Sequence, residues 1–336
     1  MHRSRVILPA LTLTALAFFT QVPAGGAAPA MEWREVFHED GSITQTLTPK
    51  APAGESTGFL AASAAEVSRV FGDRDPADAF DLVFVGDGYT RDDLATYSAN
   101  VKSKWEELSA VEPFASYKQY FNVWQVDVIS NESGVDHDPA RGLLKDTALD
   151  MGFWCQGRDA TTERLLCVNE TKAKEYAASA PQADQVIALG NTTKYGGAGG
   201  SVATAAGSNA QAGQIAIHEL GHSIGGLADE YDYPYETYTG TEPRELNVTK
   251  DPTGAKWGSY LGRPSPDGGV VAPVEGARYY KFGLYRPTAN SIMRTLGKEF
   301  NSIGRDAMVA AFKAKVPSLN FEPAPGAPII VRPLPR

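Results

Sequence analysis

Two histidines four residues apart, with a glutamate directly after the first, stand inside an otherwise apolar segment of this chain. The segment Ile215–Leu227 has helical character, and residues four apart on a helix lie on the same face. The imidazoles of His218 and His222 should therefore converge on one point, with Glu219 beside them. A helix this apolar should be buried, and burying three such groups without partners is costly. A metal ion would satisfy all three.

The chemistry of this spacing is that of a catalytic zinc site. Zinc binds neutral imidazole nitrogens at about 2 Å, and a catalytic site keeps one position open for water. The metal lowers the pKa of that water, and a neighbouring carboxylate can take the proton. We therefore predict that His218 and His222 bind one Zn²⁺ and that Glu219 is the general base.

A third ligand from downstream must be an oxygen atom, because no histidine follows His222. The glycine pair 225–226 would end the helix and let the chain turn back under the metal. Asp229 lies just beyond that turn and is the preferred ligand. Glu230 is the second choice. Glu242, which has the wider spacing of thermolysin-like enzymes but precedes a proline, is the third.

The first thirty residues have the three-part pattern of a secretory signal. A basic start is followed by an apolar run, Val6–Phe19, and by the small-residue stretch Thr20–Ala30, which contains cleavage motifs. The run is too short to span a bilayer comfortably, and it contains Pro9. We expect cleavage of this segment and an exported protein, secreted or periplasmic, that does not remain in the membrane.

The net charge of the chain limits the class of its binding partner. Losing residues 1–30 would change the formal net charge from -9 to about -11, and an acidic chain is unsuited to binding nucleic acid. We expect a protein or peptide substrate and a monomeric enzyme.

Cys155 and Cys167 are the two cysteines of the chain. In an exported protein such a pair predicts one disulfide that closes a short loop.

The mature chain begins with a predicted hairpin at residues 31–47, which turns at residues 39–42. A stretch rich in proline, alanine, glycine and serine, Pro49–Gly58, is then predicted to be a linker. The predicted organisation is a signal peptide (1–30), a hairpin and linker (31–58), a main domain with the zinc site (59–320) and a proline-rich tail (321–336).

Strands and helices alternate after Asp81, which predicts an α/β fold with a mostly parallel sheet. The predicted strands are Leu82–Val85, Phe121–Ser130 and Gln185–Gly190. Of the three predicted helices, the first begins at a capping box formed by Thr90 and Asp93. The other two are predicted near Thr171–Ala180 and Ser302–Ala314. The glycine-rich stretch Tyr195–Gly200 and the small-residue run Ser201–Ala206 are predicted to form an edge strand, and a substrate peptide would lie along Ser201–Ala206 by strand addition.

A second metal is considered at three aspartates that lie in or near glycine-containing turns. Asp87, Asp136 and Asp138 offer the oxygen ligands that Ca²⁺ requires. The more general interpretation of such turns is structural, and the sequence supports Ca²⁺ less strongly than Zn²⁺.

Several separated motifs resemble the IgA peptidase family of metallopeptidases. The segment His218–Tyr231 resembles the active-site segment of that family, and so do Asp81–Thr90, Phe121–Ser130 and Asn131–Asp136 in the same order. The resemblance extends from about Asp81 to Leu296. It implies a zinc endopeptidase with a metzincin-like domain, in which a mostly parallel twisted sheet and an active-site helix precede a C-terminal subdomain.

The same resemblance implies a methionine turn beneath the metal, at Ser291–Arg294 with Met293 as the methionine. The third histidine usual in metzincins would fall at Ala228, which cannot bind metal. The spacing from glycine to ligand is kept if Gly226 is the turn glycine and Asp229 is the ligand.

Two further residues and two other functions stay open at this stage. Tyr231 and Arg294 are candidates for stabilising the oxyanion or lining the cleft, although Arg294 is equally suited to a structural ion pair. The alternatives to an endopeptidase are a non-proteolytic zinc amidase that acts on cell-wall peptides and an exported binding module with a structural zinc. A fourth protein ligand would favour the binding module, because structural zinc is fully coordinated by protein.

Overall fold

The computed structural model of the protein describes residues 30–50, 65–155, 157–316 and 319. The strands in chain order are β1 (Met31–Phe37), β2 (Ile43–Pro49), β3 (Glu66–Phe71), β4 (Phe80–Asp87), β5 (Phe121–Asp127), β6 (Gln185–Gly190), β7 (Gly197–Ala198), β8 (Ala203–Ala206), β9 (Tyr235–Thr237), β10 (Val274–Ala277) and β11 (Tyr280–Arg286). The α-helices are α1 (Leu94–Leu108), α2 (Phe114–Tyr117), α3 (Glu170–Ala177), α4 (Gly213–Ser223) and α5 (Ser302–Lys315).

A six-stranded sheet in the order β3-β5-β4-β6-β8-β7 forms the centre of the molecule. Its four inner strands run parallel, and the edge strands β3 and β7 are antiparallel to their neighbours. Strand β4 is buried along its whole length because apolar residues cover both of its faces. The prediction of a mixed α/β fold with a mostly parallel sheet is therefore confirmed.

The prediction of an edge strand holds for Tyr195–Gly200, which contains β7, and is wrong for Ser201–Ala206. Strand β8 lies between β6 and β7, so both of its sides are hydrogen-bonded within the sheet. The glycine-containing strand β7 folds back beside it and takes the edge position. Strand β3 had no counterpart in the sequence analysis, because a half-exposed edge strand need not contain an apolar run.

Helix α1 begins where the capping box predicted it. The backbone nitrogen and the hydroxyl of Thr90 both donate to Asp93 Oδ2, at 3.0 and 2.7 Å. The helix then buries Tyr97, Val101 and Trp105, one turn apart, against the sheet. The helical spacing seen in the sequence therefore defines the face that packs on the core.

The hairpin β1–β2 is seated on the main body of the protein. Phe37 and Ile43, which pair at its turn, are fully buried in the same core as the sheet. At the turn, the oxygen of Gly41 accepts a hydrogen bond of 2.9 Å from the nitrogen of Leu296. Gly41 has a φ of +84°, and a Cβ atom there would lie 2.7 Å from Leu296 O, so this contact requires glycine.

The predicted signal peptide (1–30, apart from Ala30), nearly all of the linker and the proline-rich tail lie outside the described residues. Within the described ranges, none of the helices has the length and apolar character needed to cross a membrane.

Asp87 fastens the loop that follows β5 to the end of β4. Its buried carboxylate accepts hydrogen bonds from the backbone nitrogens of Leu149 and Met151, each at 2.7 Å, and from the Ser130 hydroxyl at 3.3 Å. Burial raises the pKa of Asp87 to about 6, although the two backbone N–H donors oppose that shift.

We expect Asp87→Asn to lower the free energy of unfolding by about 2–4 kcal/mol. The asparagine NH₂ group would face one of the two backbone N–H groups, and because both of these groups are donors, neither would have a hydrogen-bond partner. Urea unfolding of the variant and the parent protein measures the difference. Asp92→Asn is the matched control, since Asp92 is exposed and should change the free energy of unfolding by less than about 0.5 kcal/mol. Equal stability of Asp87→Asn and the parent would contradict this role.

Candidate metal centre

Helix α4 carries both histidines and the glutamate of the motif. The helix is apolar and almost entirely buried, including His218 and Glu219. After its end the backbone nitrogens of Gly226 and Leu227 donate to carbonyls of the last turn, at 3.0 and 3.2 Å, and Gly226 has a φ of +58°. This turn brings Asp229 back beneath the helix.

Three atoms that could bind a metal ion lie close together at the end of this turn. The Nε2 atoms of His218 and His222 are 3.1 Å apart, and Asp229 Oδ1 lies 3.3 Å from the first and 3.2 Å from the second. Atoms bound tetrahedrally to zinc at about 2.0–2.1 Å lie roughly 3.3 Å from one another. The triangle therefore has the dimensions that one small metal ion requires.

Hydrogen bonds from the other side of each ligand fix this orientation. The Nδ1 atom of His218 contacts Ile292 O at 3.0 Å, and that of His222 contacts Leu227 O at 2.7 Å. Because a carbonyl can only accept, each Nδ1 carries a proton, and each Nε2 is the ring nitrogen that faces the centre. Tyr279 donates to Asp229 Oδ2 at 2.6 Å, which leaves Oδ1 buried with no hydrogen-bond partner among the described residues.

A fourth side chain that could hold a metal ion comes from the N-terminal hairpin. Glu35 on β1 places its Oε2 atom 3.7 Å from His218 Nε2 and 3.9 Å from His222 Nε2. One ligand atom from each of Glu35, His218, His222 and Asp229 lies within 4.8 Å of all the others. Glu35 was not among the ligands predicted from the sequence, because it belongs to no metal-binding motif.

Glu219 lies beside this group and is not one of its members. Its side chain is buried, and Oε1 has no hydrogen-bond partner in the described part of the chain. A Cβ atom at Gly199 would lie 2.2 Å from Glu219 Oε2, so the carboxylate packs closely on the backbone that follows β7. Glu219 also lines a cavity of about 1220 Å³, whose wall includes Glu35, His222 and Asp229.

Charges within the group shift its pKa values strongly. Burial alone would lower the pKa of both histidines, but the carboxylates of Asp229 and Glu35 raise that of His218 well above its usual value and that of His222 to about 9. Burial and then the charge of Glu35 raise the pKa of Glu219 to about 7. For Asp229 the two imidazoles outweigh burial, so its pKa is lowered. The buried carboxylates therefore favour positive charge at the centre.

The two alternative third ligands are engaged elsewhere. The buried carboxylate of Glu230 accepts hydrogen bonds of 2.7–2.9 Å, and its donors are the side chains of Asn247, Ser291 and Asn301. Glu242 forms an ion pair of 3.1 Å with Lys256. Neither residue belongs to the group of four ligating side chains.

The segment Ser291–Arg294 lies directly under α4. A Cβ atom at Gly221 would lie 2.6 Å from the sulfur of Met293, which places the methionine against the helix backbone between the two histidines. Arg294 forms an ion pair of 3.1 Å with Asp232. Tyr231 is buried, and its hydroxyl donates to Glu35 Oε1.

The predicted disulfide between Cys155 and Cys167 is confirmed, with the Cα atoms 5.3 Å apart. Both cysteines also line the cavity.

The carboxylates considered for Ca²⁺ accept hydrogen bonds from the protein. Asp136 accepts from the backbone nitrogen of Lys145 and Asp138 from the hydroxyl of Thr192, while Asp87 is bonded as described above. Among the described residues, these three aspartates are not part of the group of ligating side chains. Calcium binding stays a prediction.

Comparison with protein families identifies the class of protein and then its family. A family described as IgA Peptidase M64 matches residues 70–267 and 263–312, which makes the protein a peptidase and hence a hydrolase. The chain belongs to the IgA peptidase M64 family, as the motifs implied. A comparison with curated proteins found no match.

Proposed function

We propose that the protein is a secreted, zinc-dependent endopeptidase in which His218, His222 and Asp229 bind Zn²⁺ and Glu219 is the general base. The observation that carries this proposal is the triangle of ligating atoms, with sides of 3.1–3.3 Å. Two imidazoles and a carboxylate are a frequent ligand set of catalytic zinc. The secretory pattern of residues 1–30 supports export.

The chemistry follows from what lies around the triangle. A zinc ion held there supplies a Lewis acid that acidifies water and polarises the peptide carbonyl. Glu219 accepts the proton of the attacking water, because its carboxylate is buried and Oε1 has no hydrogen-bond partner among the described residues. The water oxygen bonds to the carbonyl carbon, and Glu219 then returns the proton to the amide nitrogen as the C–N bond breaks.

The substrate peptide is proposed to lie beside the backbone that follows β7, in place of the Ser201–Ala206 position expected from the sequence. Gly197 in β7 is already bonded through its nitrogen to Arg164 and through its oxygen to Leu166, whereas Gly199, just after β7, lies against Glu219. An extended peptide beside Gly199 would carry a scissile peptide bond past the carboxylate. Proteins or peptides are therefore the proposed substrates, and the enzyme is proposed to act as a monomer.

The assignment to the metzincin-like type rests on Ser291–Arg294. We interpret this segment as the methionine turn because Met293 packs on the backbone of Gly221, between the two histidines. The domain division proposed from the sequence, with a main domain at 59–320, is kept. The contacts of the hairpin show that it packs on this domain.

A structural zinc is the second candidate function, and Glu35 is the observation that favours it. Structural zinc is bound by four protein ligands, and Glu35 brings the number of ligating side chains to four. Against this role stands Glu219, a buried carboxylate at a large cavity, which a closed structural site does not need. The two functions differ in whether the bound metal supports catalysis.

Metal removal tests the proposal. We expect a strong chelator to abolish cleavage of a quenched fluorescent peptide library by the exported protein, and one equivalent of Zn²⁺ to restore it. Elemental analysis before and after treatment is the control for complete removal. Cleavage that persists without metal would refute a zinc peptidase. If both this protein and its Glu35 variants bind zinc but cleave no peptide, the structural zinc site is favoured.

A further inference from the structure

We propose that the hairpin β1–β2 is an autoinhibitory segment, in which the carboxylate of Glu35 takes the metal position that catalysis must leave open. This inference rests on the proposed zinc peptidase function and adds regulation of the same site. It is carried by three features of the hairpin: the position of its carboxylate, the path of its first strand, and the contacts that seat it.

The Glu35 carboxylate faces the triangle of ligating atoms. Its Oε2 atom is 3.7 and 3.9 Å from the two histidine Nε2 atoms, whereas the three other ligating atoms are 3.1–3.3 Å apart. The triangle is thus a compact set of three, and Glu35 is a more distant fourth member. A catalytic zinc has three protein ligands and an open position, so Glu35 stands where water would have to bind.

Strand β1 also follows the path proposed for the substrate. Arg34 donates to the carbonyl of Gly199 at 3.0 Å, next to β7, and Val36 packs against Ala198 in that edge strand. Trp33 also contacts the ring of Tyr235, with centroids 6.2 Å apart, and both residues line the cavity. An extended segment therefore already lies across the cleft beside the catalytic carboxylate.

Specific contacts hold the hairpin in this position. The hydroxyl of Tyr231 donates to Glu35 Oε1 and accepts from Gln45 on β2, at 3.1 Å in the second case. The hydroxyl of Tyr233 donates to the carbonyl of Ile43. These tyrosines follow Asp229 in the chain, so the segment that supplies the third ligand also binds the hairpin.

The hairpin thus blocks the site in two ways, by filling a ligand position and by lying beside Gly199, on the path proposed for the substrate. Cleavage by the full chain then depends on the fraction of molecules in which the hairpin has moved away. The apparent affinity for substrate falls in proportion to this fraction, because only molecules with an open site can bind substrate. A change that weakens the hairpin should raise activity, although it removes a residue that touches the metal site. A catalytic or purely structural Glu35 predicts the opposite.

The test compares Glu35→Ala and Glu35→Gln with the parent chain, measuring zinc affinity by chelator competition and peptide cleavage at saturating Zn²⁺. We expect Glu35→Ala to weaken zinc binding by about tenfold or more, since even groups that only orient a ligand contribute that much. Cleavage should rise by at least about tenfold, and Glu35→Gln should change both in the same directions. Glu106→Gln is the matched control, because it makes the same chemical change at an exposed position of α1; both quantities should stay unchanged.

Gly41→Ala provides a variant that leaves all ligating side chains in place. Its Cβ atom would collide with Leu296 O and push the hairpin turn away from the main body. We expect faster cleavage than in the parent protein here too, with thermal unfolding as the check that both proteins are folded.

The outcomes separate this inference from the proposed function. If the parent chain shows zinc-dependent cleavage and neither Glu35→Ala nor Gly41→Ala increases it, autoinhibition is overturned and the proposed peptidase function is kept. Weaker zinc binding in Glu35→Ala without cleavage by any variant would make Glu35 a permanent structural ligand and overturn both. A parent chain that binds no zinc would also overturn both.

Discussion

Replacing Glu219 with glutamine should slow peptide cleavage by about a hundred- to ten-thousand-fold, because it removes the carboxylate that takes the proton of water. Glutamine has nearly the same size, so it can occupy the narrow space above Gly199. Glu219 is not one of the four grouped ligating side chains. Zinc content should therefore stay the same while turnover is lost.

This effect is best measured both in the parent chain and together with Glu35→Ala, so that an inhibiting hairpin cannot mask it. The value of kcat should fall in both backgrounds, with zinc content by elemental analysis and thermal unfolding measured in parallel. Glu106→Gln makes the same chemical change at an exposed position of α1 and should leave kcat unchanged. Full activity of Glu219→Gln would assign the proton to another group, and loss of zinc would make Glu219 structural.

The parts of the fold that were predictable from sequence depend on local pattern. Strand β4 and helix α1 follow from an apolar run, a capping box and helical spacing, each within about twenty residues. The convergence of His218 and His222 depends only on helix geometry. Asp229 was the preferred third ligand because it lies just beyond the glycine turn, and in the structure its Oδ1 atom lies 3.2–3.3 Å from both histidine Nε2 atoms.

The features that were missed depend on how distant segments dock. Glu35 reaches the metal centre only because β1 packs on the main body, and its hydrogen-bond partner Tyr231 is 196 residues away in sequence. No local pattern distinguishes Glu35 from Glu32 on the same strand. The position of Ser201–Ala206 at the sheet edge was misjudged for a similar reason, since β7 and β8 are both short runs of small residues whose pairing partners are set by the whole sheet.

Asp229→Asn should cause the largest loss of zinc affinity among single carboxylate changes, more than about 100-fold, because a direct ligand contributes at least as much as the groups that orient ligands. The variant keeps the size of the side chain and an acceptor for the Tyr279 hydroxyl. It removes the charge that lies 3.2–3.3 Å from both histidine Nε2 atoms. The protein should therefore stay folded while its zinc is lost.

Chelator competition at one fixed pH measures this loss, and the two rejected ligands supply the controls. Glu242→Gln should leave zinc affinity unchanged, because Glu242 pairs with Lys256 outside the ligating group. Glu230→Gln should lower stability, since its carboxylate accepts buried hydrogen bonds from Asn247, Ser291 and Asn301, but its folded fraction should still bind zinc. If Glu242→Gln is instead the variant that empties the site, the triangle beneath α4 does not hold the metal, and the wider, thermolysin-like spacing identifies the true ligand.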